Sequence, residues 1–280
     1  MVTRPQRTLK KPVSFSGVGI HTGKEVQLRF CPARAHSGIV FQRVDLPGKP
    51  TIPAAVEYVQ DTSRSTTIGI GSCTVQTIEH VLAALSAYQI DNLCIQVTEG
   101  EPPIGDGSAQ TFVDLIEEAG IEEQDATKSI VSLKHPVHYT SGQTHLVALP
   151  SDEFRISYTL HYPNTPVIRC QYLSLPITAK NFKEQIASCR TFALYEEITY
   201  LMEHGLIRGG SLENAVVIKD NVVFSKEGLR FPDEMVRHKI LDLIGDLFLV
   251  GIPFLAHVIA IRAGHAANIA LGKELIKQFS

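Results

Sequence analysis

The chain has 280 residues, 44% hydrophobic and 20% charged, a composition of globular proteins that excludes a disordered chain. Its 26 Lys and Arg against 29 Asp and Glu give a formal net charge of −3, so no overall basic field exists to neutralise a phosphate backbone, and nucleic acid is not an expected partner. The length suits two domains on a soft prior of about 100–200 residues each.

Five cysteines, Cys31, Cys73, Cys94, Cys170 and Cys189, are scattered and contain no CxxC pair. That argues against a disulfide framework or a Cys-rich zinc module and for a reducing, cytoplasmic setting. The basic start MVTRPQRTLKKPV is followed by no apolar run, and the most apolar stretch, residues 247–256, is interrupted by Gly251 and Pro253. Neither a signal sequence nor a transmembrane segment is expected.

In chain order, Leu9-Lys10-Lys11-Pro12-Val13 opens a strand-rich stretch through VQLRF to Pro32, with Gly23 near its hairpin. Residues 75–85 (VQTIEHVLAAL) read as a helix, 92–97 (NLCIQV) as an apolar strand and 107–120 as a second helix. The polar stretch 122–128 (EEQDATK) marks the joint of two halves. Beyond it Leu133-Lys134-His135-Pro136-Val137 repeats the opening pattern and runs through HLVAL to Pro150, with Gly142 near the hairpin. Residues 179–205 read as mostly helical, followed by a Gly-rich turn and a strand with a hairpin at 219–221. That turn lacks G-x-G-x-x-G and Walker spacings, so a phosphate loop of those types is not supported. A helix at 236–248, a strand at 257–261 and a helix at 264–279 complete the chain. The order strand, strand, helix, strand, helix therefore occurs twice. It predicts an α+β protein of two duplicated domains, residues 1–125 and 126–280; chance similarity of short apolar patterns is the competing explanation.

On the helix at 236–248, His238, Asp242 and Asp246 lie within an arc of roughly 80° with Lys239 at its edge, opposite the apolar residues. A His and a carboxylate at i, i+4 can converge on one metal ion, although the spacing alone favours an ordinary solvated face. The matching helix of the first half carries Glu79 and His80. A third ligand from His80 would leave one coordination position open for water, and Glu79 would then serve as its general base. Read singly, Glu79 is a surface acid and His80 a half-buried ring. His265 follows a loop and opens a helix; with Asp246 on one ring nitrogen it suits a general acid, and without that partner it is an N-cap residue with no task.

The strings SGVGIHTGKEV, TIEHVLAAL, DNLCIQV, PIGDGSAQTFVDLI, RTF at 190–192, GGSLENAVV, LRFPDEMVRHKILDLIGDLF and AGHAANIAL closely resemble the zinc-dependent UDP-3-O-acyl-N-acetylglucosamine deacetylases of the lipid A pathway. The likeness covers essentially the whole chain in order. It implies that His80, His238 and Asp242 bind one catalytic Zn2+, with Fe2+ as the cellular alternative, and that Glu79 activates water. Thr191 would help hold the oxyanion, Lys239 would position substrate beside the metal, and His265 with Asp246 would assist the leaving amine. Phe192, Arg262 (often a lysine in relatives) and Tyr162 match positions near the uridine or phosphates. The implied fold packs the helices of two α+β domains inward around the metal. A β-α-β insert within about residues 193–222 would form a hydrophobic passage for the acyl chain, lined by Ile198, Leu201, Gly210 and Ala215. The partner so implied is a UDP-sugar bearing an acyl chain, and the chain is expected to act as a monomer. Ser65 departs from several relatives, which have a cysteine there, so inhibition by excess zinc should be weaker here. Two other functions compete: a zinc lyase or dehydratase with the same ligands, and an inactive metal or lipid-sugar binder, against which the presence of Glu79 and His265 weighs.

Overall fold

Alternation of apolar and polar side chains builds the first sheet. In the strand Glu25–Pro32, Val26, Leu28 and Phe30 are buried while Glu25, Gln27 and Arg29 face solvent, because successive strand residues point to opposite faces. This computed structural model describes residues 2–279. In it, five strands lie in the order Val13–Val18, Glu25–Pro32, Leu93–Val97, Ile39–Arg43, Thr51–Pro53. All neighbours are antiparallel except the pair Ile39–Arg43 and Leu93–Val97. In the second half the order is Val137–Ser141, Thr144–Leu149, Phe254–Ile261, Phe154–Tyr162, Arg169–Pro176, again with only the third and fourth strands parallel. One strand order and one pattern of directions thus occur twice, an observation that favours an internal duplication. The fold is mixed α+β.

Among the described residues, six α-helices accompany the sheets: α1 (Glu79–Ala87), α2 (Gln110–Ala119), α3 (Ala179–Gln185), α4 (Tyr195–Glu203), α5 (Glu234–Phe248) and α6 (His265–Phe279). α1 and α2 pack together beneath the first sheet, α5 and α6 beneath the second, and α1 crosses α5 between them. α1 starts at Glu79, four residues later than the apolar period suggests. Residues Cys73–Val75 still form a strand, and Thr77 has φ 55, a left-handed conformation that a right-handed helix cannot contain. α5 is buried around almost its whole circumference, charged residues included. Its polar arc is therefore an interior surface rather than a solvated face.

Two further stretches differ from their sequence reading. The polar residues 122–128 lie inside a strand, Ile121–Ser132, antiparallel to Val2–Leu9, so halves divided at residues 125 and 126 meet within a strand and not in a loop. Amides replace apolar contacts there: Asn92 Nδ2 donates to Gln6 Oε1 and Gln124 Oε1, and Gln6 Nε2 donates to the Thr127 carbonyl. Residues 179–205 form two short helices, with 186–194 drawn out of helical conformation. The buried Arg190 guanidinium pairs with Glu234 at the start of α5 (2.9 Å), and Phe192–Leu194 becomes a strand.

That strand, α4 and the parallel strand Val216–Lys219 form a β-α-β unit, extended by a hairpin to Val222–Phe224. The unit docks on the first half through backbone: Gly209 N donates to Ile20 O (3.0 Å) and Arg208 N to His21 O (3.3 Å). A Cβ at Gly209 would overlap the Gly19 carbonyl.

The crossing of α1 and α5 has a similar requirement, since a Cβ on Gly245 would overlap the carbonyl oxygen and carbon of Glu79. Gly245→Ala is expected to force the helices apart at a cost of about 1–3 kcal/mol, lowering Tm by roughly 2–4 °C per kcal/mol for a chain of this size. Calorimetry of the two proteins measures it; an unchanged Tm contradicts the close crossing.

Candidate metal centre and adjoining cavities

The crossing sets His80, in the first turn of α1, against His238 and Asp242, one turn apart on α5. Their donor atoms lie within 4.8 Å of one another. His238 Nε2 is 3.3 Å and His80 Nε2 3.8 Å from the same oxygen, Asp242 Oδ1. Ligands held at about 2.0–2.2 Å around a tetrahedral ion stand roughly 3.3–3.6 Å apart, so the trio has the spacing of three ligands. The groups behind these donors fit as well. His238 Nδ1 donates to the Cys189 carbonyl (3.0 Å), which leaves Nε2 as the ring's lone-pair nitrogen. Lys239 Nζ donates to Asp242 Oδ2 (2.7 Å), leaving Oδ1 toward the two imidazoles. His80 Nδ1 is buried with no hydrogen-bond partner among the described residues.

Electrostatics prepare these groups as ligands. Burial pushes His80 down to about 3 and lowers His238 too, so both rings are neutral and free to donate a lone pair. For Asp242 burial opposes the charge, but the Lys239 ammonium, with the His265 imidazolium adding to it, outweighs that and holds the carboxyl below its ordinary range. Burial likewise opposes the Lys239 ammonium, and Asp242 overcomes it, keeping the amine charged.

Beside the trio, Glu79 Oε2 accepts the Thr66 amide (3.0 Å). Burial pushes its carboxyl up to about 8, with His265 acting against the shift and Asp246 and Asp242 adding to it. Asp246 sits behind His265: its Oδ2 accepts from His265 Nδ1 (2.9 Å) and Asn268 Nδ2 (2.8 Å), its Oδ1 from the Thr66 hydroxyl (2.5 Å). Burial works against the His265 imidazolium, but the Asp246 carboxylate prevails and raises the ring to about 9. Both groups thereby hold a proton more tightly than their ordinary values would.

Two cavities meet at this centre. One, of about 440 Å³, is lined by Tyr139, Ser141, Thr144, Tyr162, Lys239 and the first turn of α6, a helix N-terminus whose free N–H groups favour an anion. The other, of about 350 Å³, runs under the β-α-β unit past Ile198, Leu201, Met202, Gly210, Ala215 and Val217. Glu79, His80, Thr191 and Phe192 line both. Arg64 and Glu197 also face both and pair with each other (2.7 Å).

Most residues singled out in the sequence therefore converge. Thr191 faces the cavity just before the strand Phe192–Leu194, and the Tyr162 and Phe192 rings stand edge to face at 6.2 Å. Arg262 is the outlier: exposed, with φ 53 and Nη1 3.4 Å from His161 Nδ1, it contributes no cavity lining. Ser65 is buried next to Thr66. Sequence reasoning passed over Thr66, Arg64, Glu197 and Glu101, the last a fully buried carboxylate that accepts from the amides of His21 and Thr22 and the hydroxyls of Thr22 and Thr77. Ser65 and the SGVGIHTGKEV string stand out in the sequence, but nothing local marks which of the neighbouring hydroxyls and amides turn inward.

Among the described residues no helix is long and apolar enough to cross a membrane. The chain matches the family described as UDP-3-O-acyl N-acetylglycosamine deacetylase over residues 6–277. Proteins named UDP-3-O-acyl-N-acetylglucosamine deacetylase from Chlamydia felis and Chlamydia pneumoniae are each 54% identical to it over 278 residues, covering 99% of both chains. One of the same name from Chlamydia caviae is 54% identical over 277 residues, again with 99% of each chain covered. With the match spanning nearly the whole length and the identity well above what a shared fold alone requires, the chain belongs to the UDP-3-O-acyl N-acetylglycosamine deacetylase family.

Proposed function

We propose that this enzyme removes the N-acetyl group from UDP-3-O-acyl-N-acetylglucosamine by metal-assisted hydrolysis, releasing acetate and the free 2-amino sugar nucleotide in lipid A biosynthesis, with Zn2+ as the metal. The observation that carries the reading is the His80, His238, Asp242 trio in the polar cavity, with His80 and Glu79 lining the adjoining apolar cavity as well. A nucleotide sugar suits the first and an acyl chain the second. Two neutral imidazoles and a carboxylate suit Zn2+; Fe2+ shares these preferences, and metal supply decides between them in the cell. All five cysteines are free, which supports a reducing, cytoplasmic setting. Metal analysis of freshly purified protein, coupled to an assay of acetate release from the UDP-sugar, tests the whole assignment. A lyase or dehydratase would release no acetate.

Bound among the three donors, the ion supplies Lewis-acid polarisation of the amide carbonyl and of a water, and its charge draws Glu79 back toward the carboxylate form. The remaining steps belong to the chain's own side chains. Glu79, anchored by one oxygen on the Thr66 amide, takes the proton of the attacking water with the other. The Thr191 hydroxyl donates to the carbonyl oxygen as it gains charge. Lys239, locked to Asp242, presents a cation at the floor of the polar cavity to orient the substrate. When the C–N bond breaks, the leaving nitrogen needs a proton. His265 gives it from Nε2, because Nδ1–H is held by Asp246.

Ligand and base separate cleanly by mutation. His80→Ala should weaken metal binding roughly a hundredfold or more, as measured by competition with a chelator. Glu79→Ala should keep the metal and lose about 10²–10⁴-fold in kcat. Wild-type metal affinity in the first, or more than about a tenth of the activity in the second, refutes the respective role.

The His265–Asp246 pair predicts a pH dependence. The ring, raised from 6.5 to about 9, is an acid only while protonated. Activity should therefore hold through neutral pH and fall as pH rises through about 9, whereas any stability that the raised ring contributes is full below about 6.5 and is lost progressively between about 6.5 and about 9. Removing the ring in His265→Ala should lower kcat and abolish that alkaline limb, leaving whatever limb the remaining groups produce. A kcat/KM profile of the two proteins decides it.

The apolar cavity predicts chain-length discrimination. Ala215 lines it beside Val217, so Ala215→Met should narrow the passage. kcat/KM should fall at least about tenfold for a long-chain substrate and much less for a short-chain analogue, since each buried CH₂ contributes about 0.8 kcal/mol. Equal losses for both place the acyl chain elsewhere.

A further inference from the structure

We propose that Thr66 is a positioning residue for this hydrolysis, fixing the carboxylate of Glu79 through its amide and that of Asp246 through its hydroxyl, so that proton acceptor and proton donor belong to one hydrogen-bonded chain. Thr66 is fully buried at the point where α1 begins against α5. Its amide donates to Glu79 Oε2 (3.0 Å), its hydroxyl to Asp246 Oδ1 (2.5 Å), and its carbonyl accepts the amide of Ile78, the residue before α1 (3.5 Å). Each polar group of one residue is thus committed to an element that carries catalytic side chains. Asp246 completes the chain with Oδ2, which accepts from His265 and Asn268.

Two consequences follow from donor and acceptor chemistry. An ionised carboxylate only accepts, so the Thr66 hydroxyl hydrogen points at Asp246 and cannot serve elsewhere. Since Thr66 occupies Oε2 of Glu79, Oε1 is the oxygen left for the attacking water, and the carboxylate plane is set before substrate arrives. Short hydrogen bonds to ionised acceptors are the strong ones. The hydroxyl also shares the charge of Asp246, which would otherwise fall wholly on His265 and Asn268. The other titratable groups around His265 are His238 and Asp242 on α5, Glu79 and His80 on α1, and His21 in the loop before the strand Glu25–Pro32; of these, Glu79 accepts a hydrogen bond from the Thr66 amide.

The inference rests on the roles given above to Glu79 and His265, and the test keeps the two apart. Metal-loaded Thr66→Val, Thr66→Ser and Thr66→Ala are compared with Glu79→Gln and His265→Ala for metal content, kcat, KM and the pH profile of kcat. Thr66→Val keeps the shape and the amide but removes the hydroxyl. It should retain stoichiometric metal and lose about tenfold in kcat, about 1.4 kcal/mol, with KM changed less than about threefold. Its alkaline limb should move up by about half a pH unit, because Asp246 without its O–H donor holds the His265 proton more tightly. Thr66→Ser should recover most of the kcat and return the limb to its wild-type position. If Thr66→Val does not fold, the Ser and Ala variants, which both lack the methyl and differ only in the hydroxyl, carry the same comparison. Wild-type kcat and limb in Thr66→Val, or equal losses in the Ser and hydroxyl-free variants, overturn the positioning role while leaving the base and acid intact. Wild-type turnover in Glu79→Gln or His265→Ala instead removes the chemistry that Thr66 is said to position, and the inference with it.

Discussion

How closely α1 and α5 can cross governs the rest of this structure. The approach is possible because residue 245 has no side chain, and the Glu79 carbonyl occupies the space that a Cβ would take. It sets His80 opposite His238 and Asp242 and turns a helix face rich in charge into an interior. Such an interior is costly to assemble: isolated charges in a low-dielectric region lose far more hydration than one hydrogen bond returns. The chain answers by leaving few of them alone. Asp242 has Lys239, Asp246 has His265, Asn268 and Thr66, and Glu234 has Arg190. The exception is the pair of neutral imidazoles, whose lone pairs face Asp242 with no proton between them, an arrangement that a cation would complete.

The same interior displaces the titratable groups of the proposed site. Glu79 and His265 lie in one site with their proton affinities displaced upward from ordinary values, the carboxyl because water is excluded, the ring because a carboxylate stands behind it. Groups whose environments push them in chosen directions divide acid from base work within a single fold. Here the division depends on segments far apart in sequence. Residue 66 reaches both 79 and 246, and the Cys189 carbonyl orients the ring of His238. The loop 186–191 is held against α5 by the buried Arg190–Glu234 pair, so Thr191 and the His238 ring share one support.

Legibility in the sequence followed the range of the interactions. The i, i+4 relation of His238 and Asp242 was visible because it is a local property of one helix, and the repeated order of strands and helices because each element carries its own periodicity. Burial of the Asp246 face was not visible, since an amphipathic reading assigns charge to solvent unless a second helix is known to lie there. The strand Ile121–Ser132 was hidden for a related reason: its partners are side-chain amides and another polar strand, so it lacks the apolar alternation that announces a strand. The break between α3 and α4 depends on Glu234, 44 residues beyond Arg190, and no window of local sequence contains both. The proposed ligands and the proposed base Glu79 were legible chiefly through resemblance to a family, whereas the hydrogen bonds around them were not.

The strand Ile121–Ser132 also bears on how substrate enters. It is paired along Val2–Leu9 and at its end with Phe254 and Leu255 of the second sheet, so the connection between the two halves is a rigid beam where many two-lobed enzymes have a hinge. Bulk opening of the lobes would have to break that ladder and part the helix crossing that holds the metal ligands, undoing the centre each time product departs. The three short strands of the β-α-β unit, tied to the first half through the turn at 208–209 and across the cavities by Arg64 and Glu197, offer a cheaper movement. The proposed metal cleft is accordingly framed by a continuous ladder between the two sheets on one side and, on the other, by a small unit held through a few backbone contacts and one exposed ion pair.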